Sequence, residues 1–490
     1  MSILKKLYSI TLVLSIFSIN AVADDIRVFF NHPVNPPALQ ANLEDKIVTL
    51  INSANSTLDM AVYDLELPGI ANAMVAARGR GVNVRFITDE DNIGADNAVA
   101  LGILDLGLVP WIDDTENGSA GSRIQHNKFI IVDGKYVLTG STNFSQSGIH
   151  GDINADGTIT NKGNDNHIVI IESTPLATIF TTQFNVMWGD GPGGAKDSLF
   201  GLGKPDHLLQ TVETDNDRIR IDVQFTPQSR TKFQDSSIDN LINYINGAKK
   251  RIYLAQFVIS AQDLADAMER KHDLGVEVKG IGDSSFFYRY YSEFQDMKGL
   301  EIAKTDGTFE TDSYTGALNN AWQNPVDVRV ANLDRGDKWH HKYWIIDDIV
   351  ITGSHNASGA AAFGNDENIV AIYDIETAAE FTSHFNGSFC EAGRGLNCIA
   401  TTSQPVTSPT STSQAGTFEG VSFSATEVAI VIDIVNNATL TQLDIDASMN
   451  KRAAKNIIAA RPITSMDQLI AISYVGPAAM QDLKDYTLVW

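Results

Sequence analysis

The feature that most constrains how this chain can fold is that it repeats itself. Moved along by 194 residues, so that Ile51 meets Ile245, the stretch 51–89 lands on a second copy in one unbroken register. Ala54 falls on Ala248, Leu58 on Ile252, Ala61 on Ala255 and Tyr63 on Phe257. Ile70, Ala71, Asn72, Ala73 and Met74 fall on Leu264, Ala265, Asp266, Ala267 and Met268; Gly81 falls on Gly275 and Asp89 on Asp283. Self-similarity at a fixed offset marks a duplicated structural unit. Each copy reads as an amphipathic helix ending near Ala54 or Ala248, an apolar strand (58–63; 252–257), a second helix through the Ala-x-Ala-Met segment, and a strand opened by Gly-Val-x-Val. Strands alternating with helices predict a layered α/β unit, present twice.

A chain of 490 residues leaves room for more than this duplication. At its start, Lys5 and Lys6 precede an apolar stretch (7–19) and the small-x-small sequence Ala21, Val22, Ala23, the pattern of a signal peptide cleaved after Ala23. The apolar run is short of the ~20 residues that span a bilayer. No later segment reads as a membrane span, so the mature chain is expected to be secreted or periplasmic, without stable membrane insertion. Cys390 and Cys398 are the two cysteines and flank a Gly-rich loop. In an oxidising compartment they are expected to pair, and without a nearby histidine they make a poor metal site. Residues 401–414 are dominated by Ser, Thr and Pro, which is linker chemistry. The plan is therefore a signal peptide (1–23), repeat one (24–205), repeat two (206–400), a linker (401–426) and a C-terminal helical module (427–490).

Each repeat ends in the same constellation. The first reads His126, Asn127, Lys128, an apolar run, Asp133, then Gly140, Ser141, Thr142, Asn143; the second reads His340, His341, Lys342, an apolar run, Asp347, then Gly353, Ser354, His355, Asn356. Side chains alternate along a strand, so His and Lys two apart face one site together. These residue types suit phosphodiester cleavage. A neutral imidazole can attack phosphorus and a charged one can protonate a leaving oxygen, so two histidines in different protonation states can do both. Lysines neutralise the non-bridging oxygens, Asn and Ser donate hydrogen bonds to them, and no metal or other cofactor is required. A lone His-x-Lys would signify little; two full patterns, of eighteen and seventeen residues, at the ends of duplicated units point to catalysis.

Both motifs resemble the HKD signature of the phospholipase D superfamily, and the resemblance runs from about residue 28 to 389. It implies an α/β fold of two tandem α/β/α sandwich units sharing one active site, here with a small C-terminal all-α module. It further implies a covalent phosphohistidine resolved by water or another alcohol, with His126 as nucleophile and His340 as general acid. Lys128, Lys342, Asn143 and Asn356 would bind the phosphoryl group, helped by Ser141 and Ser354, while Asp133 and Asp347 would be structural. The family also places an acidic or amide residue just past each motif to steady its histidine: Glu367 in repeat two and Asn166 in repeat one. A carboxylate raises the pKa of a histidine partner more than an amide does, which favours His340 as proton donor.

Three further segments bear on substrate and cofactors. Asp152, Asn154 and Asp156, followed by Gly157, resemble the start of a calcium loop; position 12 of that pattern holds Gly163, so a structural calcium site and a polar turn both stand. Repeat two is 20 residues longer between Asp283 and His340 than repeat one between Asp89 and His126. The added region includes Phe286, Phe287, Tyr288, Tyr290, Tyr291 and Phe294, which would either line the mouth of the site or pack a helix. The C-terminal module resembles tandem helix-hairpin-helix modules of DNA-uptake proteins but keeps one hairpin glycine, Gly476; contact with DNA or with protein are both open readings. The net charge of −24, or −26 once Lys5 and Lys6 are removed, repels polyanions. That favours a phospholipid substrate over a nucleic acid, with a metal-independent secreted endonuclease as the alternative. One chain carries both motifs, so a monomer suffices for one site.

Overall fold

The computed structural model describes residues 25–31, 42–94, 96–115, 123–151, 163–206, 208–309, 314, 321–392, 416–438, 443, 449–461 and 463–487. The chain divides into two compact units, Met1–Ala400 and Thr401–Trp490.

In the first unit the chain runs through β1 (Ile26–Phe30), α1 (Leu43–Asn52), β2 (Thr57–Val62), α2 (Pro68–Gly79), β3 (Asn83–Thr88), α3 (Ala98–Leu106), β4 (Trp111–Asp113), β5 (Lys128–Val132), β6 (Tyr136–Gly140), α4 (Gln146–His150), β7 (His167–Glu172) and α5 (Thr174–Trp188). It continues through β8 (Gln210–Glu213), β9 (Arg220–Phe225), α6 (Ser237–Gly247), β10 (Arg251–Gln256), α7 (Gln262–Asp273), β11 (Glu277–Gly282), α8 (Glu293–Met297), β12 (Asp327–Val330), β13 (Lys342–Ile346), β14 (Ile349–Gly353), α9 (Gly359–Phe363), β15 (Asn368–Tyr373) and α10 (Ile375–Ala392). A seven-stranded sheet has the order β1-β7-β6-β5-β2-β3-β4, and an eight-stranded sheet the order β12-β11-β10-β13-β14-β15-β9-β8. Read from opposite ends the two orders coincide, with β8 as an added edge. Each sheet is mixed: β2-β3-β4 and β10-β11-β12 pair in parallel through helical crossovers, and the remaining pairs are antiparallel. The 194-residue offset carries β2 onto β10, α2 onto α7 and β3 onto β11.

The burial pattern explains why these sequences form these elements. In α1, Leu43, Ile47, Leu50 and Ile51 are buried at helical spacing, and the Asn42 side chain caps the helix by accepting from the Glu44 amide at 3.0 Å. Strands β5 and β13 are buried along their whole length, which accounts for continuous apolar runs rather than alternation. One core draws residues from both sheets, Phe129, Val137 and Val169 with Tyr343, Val370 and Ile372, and takes in Phe180 of α5 and Phe381 of α10. Separate cores lie under α1, α2 and α3 in the first half and under α6 and α7 in the second. The two repeats are therefore fused through a shared interior, each fully buried Phe contributing about 1.5–3 kcal/mol.

The glycine of each Gly-Ser-x-Asn stretch has a steric cause. Gly140 (φ 153°) and Gly353 (φ 138°) end β6 and β14, and a Cβ there would lie 2.3 Å from the carbonyl oxygen of His167 or of Asn368. Asp133 and Asp347 sit at the turns after β5 and β13 with φ 54° and 52°. The Asp133 carboxylate accepts from the amides of Asn55, Ser56 and Thr57, and that of Asp347 from Lys249, Lys250 and Arg251. Burial pushes Asp133 up, but those amides outweigh it and hold the group at about 2. Both aspartates tie a hairpin to the start of the neighbouring strand.

The second unit holds β16 (Gly416–Phe418), β17 (Val421–Phe423), α11 (Ala425–Asn437), α12 (Lys451–Ala459), α13 (Met466–Ile470) and α14 (Pro477–Tyr486) around Val431, Ile434, Ile457, Leu469 and Leu483. A hairpin thus occupies part of the stretch read as linker. Val421 and Phe423 alternate inward, and Glu419 and Gly420 take the left-handed turn conformations that close it. Before α14 the left-handed residue is Tyr474 (φ 74°), with Gly476 in ordinary conformation. Residues 1–23, the Asp152–Asn154–Asp156 segment, Cys398 and 401–414 lie outside the described residues; Cys390, near the end of α10, is disulfide-bonded. No helix among the described residues is long and apolar enough to cross a membrane.

Candidate active site

The two motifs meet because each histidine is stitched to the other repeat. The His126 amide donates to the Asp366 carbonyl at 2.9 Å, and the His340 amide to the Asp165 carbonyl at 3.0 Å. Single bridges, Gln125 with Asp366 and Asp165 with Trp339, set this exchange. One residue before each histidine, a backbone amide is held by a buried carboxylate: Gln125 N–H by Asp89 at 2.6 Å and Trp339 N–H by Asp283 at 2.8 Å. The duplication aligned these aspartates without giving them a role; they fix the entry into each His-x-Lys strand. Asp366 is itself bonded to the fully buried Lys204, which also donates to the Thr226 carbonyl, so the connection between repeats is bolted behind the site.

The exchange reaches the side chains. His126 Nδ1 lies 2.7 Å from Glu367 Oε2, and His340 Nδ1 lies 3.0 Å from Asn166 Oδ1. The sequence reading gave each partner to the histidine of its own repeat; the structure corrects this. Glu367 steadies His126, so its carboxylate does not mark His340 as the proton donor. The physical reason is the bridge just described: β7 and β15 begin beside the opposite motif. The partners also fix the tautomers. Glu367 Oε1 accepts from the Asn365 amide at 3.1 Å, leaving Oε2 to accept from His126 Nδ1–H. Asn166 Nδ2 donates to the Gly148 carbonyl at 3.1 Å, so its oxygen faces His340 Nδ1–H. Nε2 of each neutral ring is then the acceptor.

Ser141 and Ser354 are fully buried; the Ser141 hydroxyl donates to Asn166 Oδ1 at 2.9 Å and Ser354 Oγ accepts from the Asn368 amide at 2.9 Å. The backbone of Ser354 faces the His126 ring and that of Ser141 faces His340, crossing again. The Ser141 hydroxyl thus supports Asn166, the partner of His340, and Ser354 joins the strand of Asn368, next in sequence to Glu367. The side-chain oxygens of Asn143 and Asn356 are buried and make no hydrogen bond.

Lys128 and Lys342 fold back alike, each Nζ donating to the carbonyl of its own motif histidine at 3.0 Å. Lys342 adds a contact, 3.1 Å, to His340 Nε2. Lys128 lies over the Tyr63 ring, 5.4 Å from its centre, where repeat two has Phe257 under Lys342 at 5.2 Å. Asp64, buried and bonded to the Phe144 amide at 2.7 Å, has Val258 as its counterpart. Burial pushes Asp64 up to about 6 while Lys128 pulls against it, and burial, then Asp114, pushes Asp89 up to about 7. The two halves are therefore electrostatically unequal. Burial brings Lys128 down to about 8, opposed by Glu367, Asp64 and Asp89; burial and then the Lys128 charge drive Lys342 well below its ordinary value. Burial, then the two lysines, hold both histidines well below theirs.

Two buried lysines therefore meet at this site with little solvent to support their charge. An oxyanion such as tungstate or phosphate is expected to stabilise the protein by ~2.7 kcal/mol at a hundred times its Kd. Lys128 must be protonated to bind it, and its folded value lies near 8, so the affinity should fall as pH rises through about 8. Thermal melts across pH with tungstate, against sodium chloride of equal ionic strength, check this; a shift equal to that in chloride would count against an anion site.

The sequence matches the family described as cardiolipin synthase, PLD-like domain, over residues 47–188 and 241–388, more than half of the chain. The mitochondrial cardiolipin hydrolase of Xenopus tropicalis is 28% identical over 143 residues, 29% of this chain and 60% of that protein. Phospholipase D of Rickettsia prowazekii is 32% identical over 135 residues, 27% of this chain and 55% of that protein. The chain thus spans roughly 55–60% of the length of these curated relatives. Among solved structures, the phospholipase D family member Nuc from Salmonella typhimurium is 26% identical with a TM-score of 0.27, over 35% of this chain and 97% of that one.

Proposed function

The chain belongs to the phospholipase D superfamily, in the family of cardiolipin synthase-type PLD-like domains, and on that premise we propose that it cleaves phospholipid headgroup esters through a phosphohistidine. The observation that carries the mechanism is the unequal pairing of the two rings. Glu367 accepts from His126 Nδ1–H, which enriches Nε2 as a nucleophile and balances the charge the ring acquires on attack. Nε2 of His126 bonds to phosphorus as the bond from phosphorus to the leaving oxygen breaks. His340 supplies the proton to that oxygen, and Lys342, 3.1 Å from His340 Nε2, is the group from which His340 draws it. Water then attacks phosphorus, His340 takes its proton, and the bond to His126 breaks. Lys128, Asn143 and Asn356 hold the non-bridging oxygens.

Two observations support a lipid over a nucleic acid. The chain carries a net charge of −24, adverse to a polyanion. Beside His340, an aromatic path runs from Phe257 (ring centres 4.7 Å apart) to Phe286 (4.8 Å from Phe257), suited to an apolar chain. The relatives named cardiolipin hydrolase and phospholipase D agree with this class of substrate. Secretion after cleavage at Ala23, and calcium at Asp152, Asn154 and Asp156, are part of the same proposal, the ion holding a loop and taking no part in the chemistry. Turnover of mixed phospholipid vesicles and of single-stranded DNA, measured side by side with EDTA and with His126→Ala as blank, tests the proposal. Headgroup release without DNA cutting is expected; DNA cutting without lipid turnover would establish the nuclease.

A further inference from the structure

After β3, repeat one turns at once through 90–92 toward α3; after β11, repeat two builds a larger projection, 283–309. Its aromatic residues divide sharply by burial. Phe287 and Phe294 are each 1% exposed and stack with ring centres 4.9 Å apart, closing over Gly282, where a Cβ would meet the Phe294 ring at 2.3 Å. They form the root. Phe286 leans on Phe257, which leans on His340, so the root adjoins the reacting groups. Lys338, two residues before His340, ties the same loop by donating to Ser285 Oγ at 2.6 Å. Tyr288 and Tyr290, by contrast, are 62% and 41% exposed, and Leu300, on the turn after α8, is 50% exposed.

Ordinary core packing explains the root but not the crest. Large apolar side chains held outward on a rigid base mark an interaction surface. Its charges narrow the partner. Glu293 and Asp296 of α8 are buried, and the outward charges of the projection, Arg289, Lys298 and Lys304 against Glu301 and Asp306, nearly balance on a chain whose net charge is −24. Lys304 Nζ stands 5.7 Å over the Tyr290 ring, so ammonium and aromatic present themselves together. Tyrosines beside lysines are the side chains that settle at the headgroup level of a bilayer, ring toward the acyl region and cation toward phosphate. A nearly neutral crest suits a zwitterionic surface; a polyanion meets the field of the whole chain instead.

We propose that the crest formed by Tyr288, Tyr290 and Leu300 docks the enzyme on a zwitterionic phospholipid bilayer, seating His126 and His340 over a headgroup whose acyl chains stay in the membrane. The proposal rests on the phospholipid reading above and adds where the membrane is met. Among the described residues repeat one has no such projection, so the membrane meets the site from one side, that of His340.

The test compares Tyr288→Ser/Tyr290→Ser with wild type on phosphatidylcholine vesicles and on a short-chain phosphatidylcholine kept below its micelle concentration. The double variant is expected to lose turnover on vesicles about tenfold or more, and to lose co-sedimentation with them, while turnover of the monomeric lipid is unchanged. Equal loss on both substrates, or undiminished vesicle binding, overturns docking at the crest. His126→Ala protein carrying the same pair reads vesicle binding without turnover, so the inference stays testable even if wild type hydrolyses neither lipid. Loss of single-stranded oligonucleotide binding with vesicle binding intact would assign the crest to base stacking and overturn it as well.

Discussion

Turnover is expected to fall by about four orders of magnitude in His126→Ala and by about 10²–10⁴-fold in His340→Ala, with both variants folded. The first removes the group that bonds to phosphorus and the second the proton donor, and the stitching of the repeats survives because the bonds to the Asp366 and Asp165 carbonyls come from the backbone. The two losses differ in kind. With a phosphodiester whose leaving group needs no proton, His340→Ala still forms the bond from His126 Nε2 to phosphorus. It then stalls, because nothing takes the proton from the attacking water. A phosphoenzyme should therefore accumulate in His340→Ala and be detected by mass spectrometry as an acid-labile adduct on His126. Accumulation in His126→Ala instead would exchange the roles, and near-wild-type turnover in either variant would sink the shared site.

What the sequence made legible was whatever is local or periodic. The 194-residue offset carries β2 onto β10, α2 onto α7 and β3 onto β11, because burial at helical or strand spacing is written into consecutive residues. The His-x-Lys pairs and the glycines of Gly-Ser-x-Asn were visible for the same reason. Contacts across the chain were not. Glu367 lies 241 residues from His126, and no property of either residue says which of two histidines it will meet; the choice is made by where β7 and β15 start relative to the opposite motif. The contacts of Ser141 with Asn166 and of Ser354 with the Asn368 amide lie within one repeat but span 25 and 14 residues, beyond what strand alternation reveals.

Other signals of the site are carried by the duplication itself. Asp89 and Asp283 stood in register with no apolar reason to do so, and each secures the amide preceding a catalytic histidine. The substitution of Asp64 by Val258 and of Tyr63 by Phe257 across the duplication was likewise on view, and it marks the half whose lysine is held charged. The aromatic segment of repeat two could not be divided into root and crest from composition, because Phe287 and Tyr288 are neighbours in sequence and opposites in burial. The hairpin before α11 was hidden by the Ser- and Thr-rich stretch that precedes it.

Glu367→Gln should separate activity from stability, moving them in opposite directions. Glu367 accepts on both oxygens, from Asn365 Nδ2 at 3.1 Å and from His126 Nδ1 at 2.7 Å. Glutamine has one acceptor and one donor to offer in the same space. If its oxygen keeps Asn365, its amide faces His126 Nδ1, which must then be unprotonated, and the ring hydrogen moves to Nε2, the atom that has to attack. Turnover is expected to drop by about 10²–10³-fold, from the wrong tautomer and from loss of the negative charge beside the developing imidazolium. Stability should go the other way. Burial raises the Glu367 carboxyl above its ordinary value of 4.5. A carboxyl raised in the folded state costs stability once pH exceeds its unfolded value, and the cost grows until pH passes the folded value. At pH 8 the variant should therefore resist urea better than wild type, and the difference should shrink as pH falls toward 4.5. A variant that is both slower and less stable at pH 8 would mean that the pairs with His126 and Lys128 outweigh the burial of Glu367. The carboxylate would then be part of what holds the two repeats together rather than strain kept in place for catalysis.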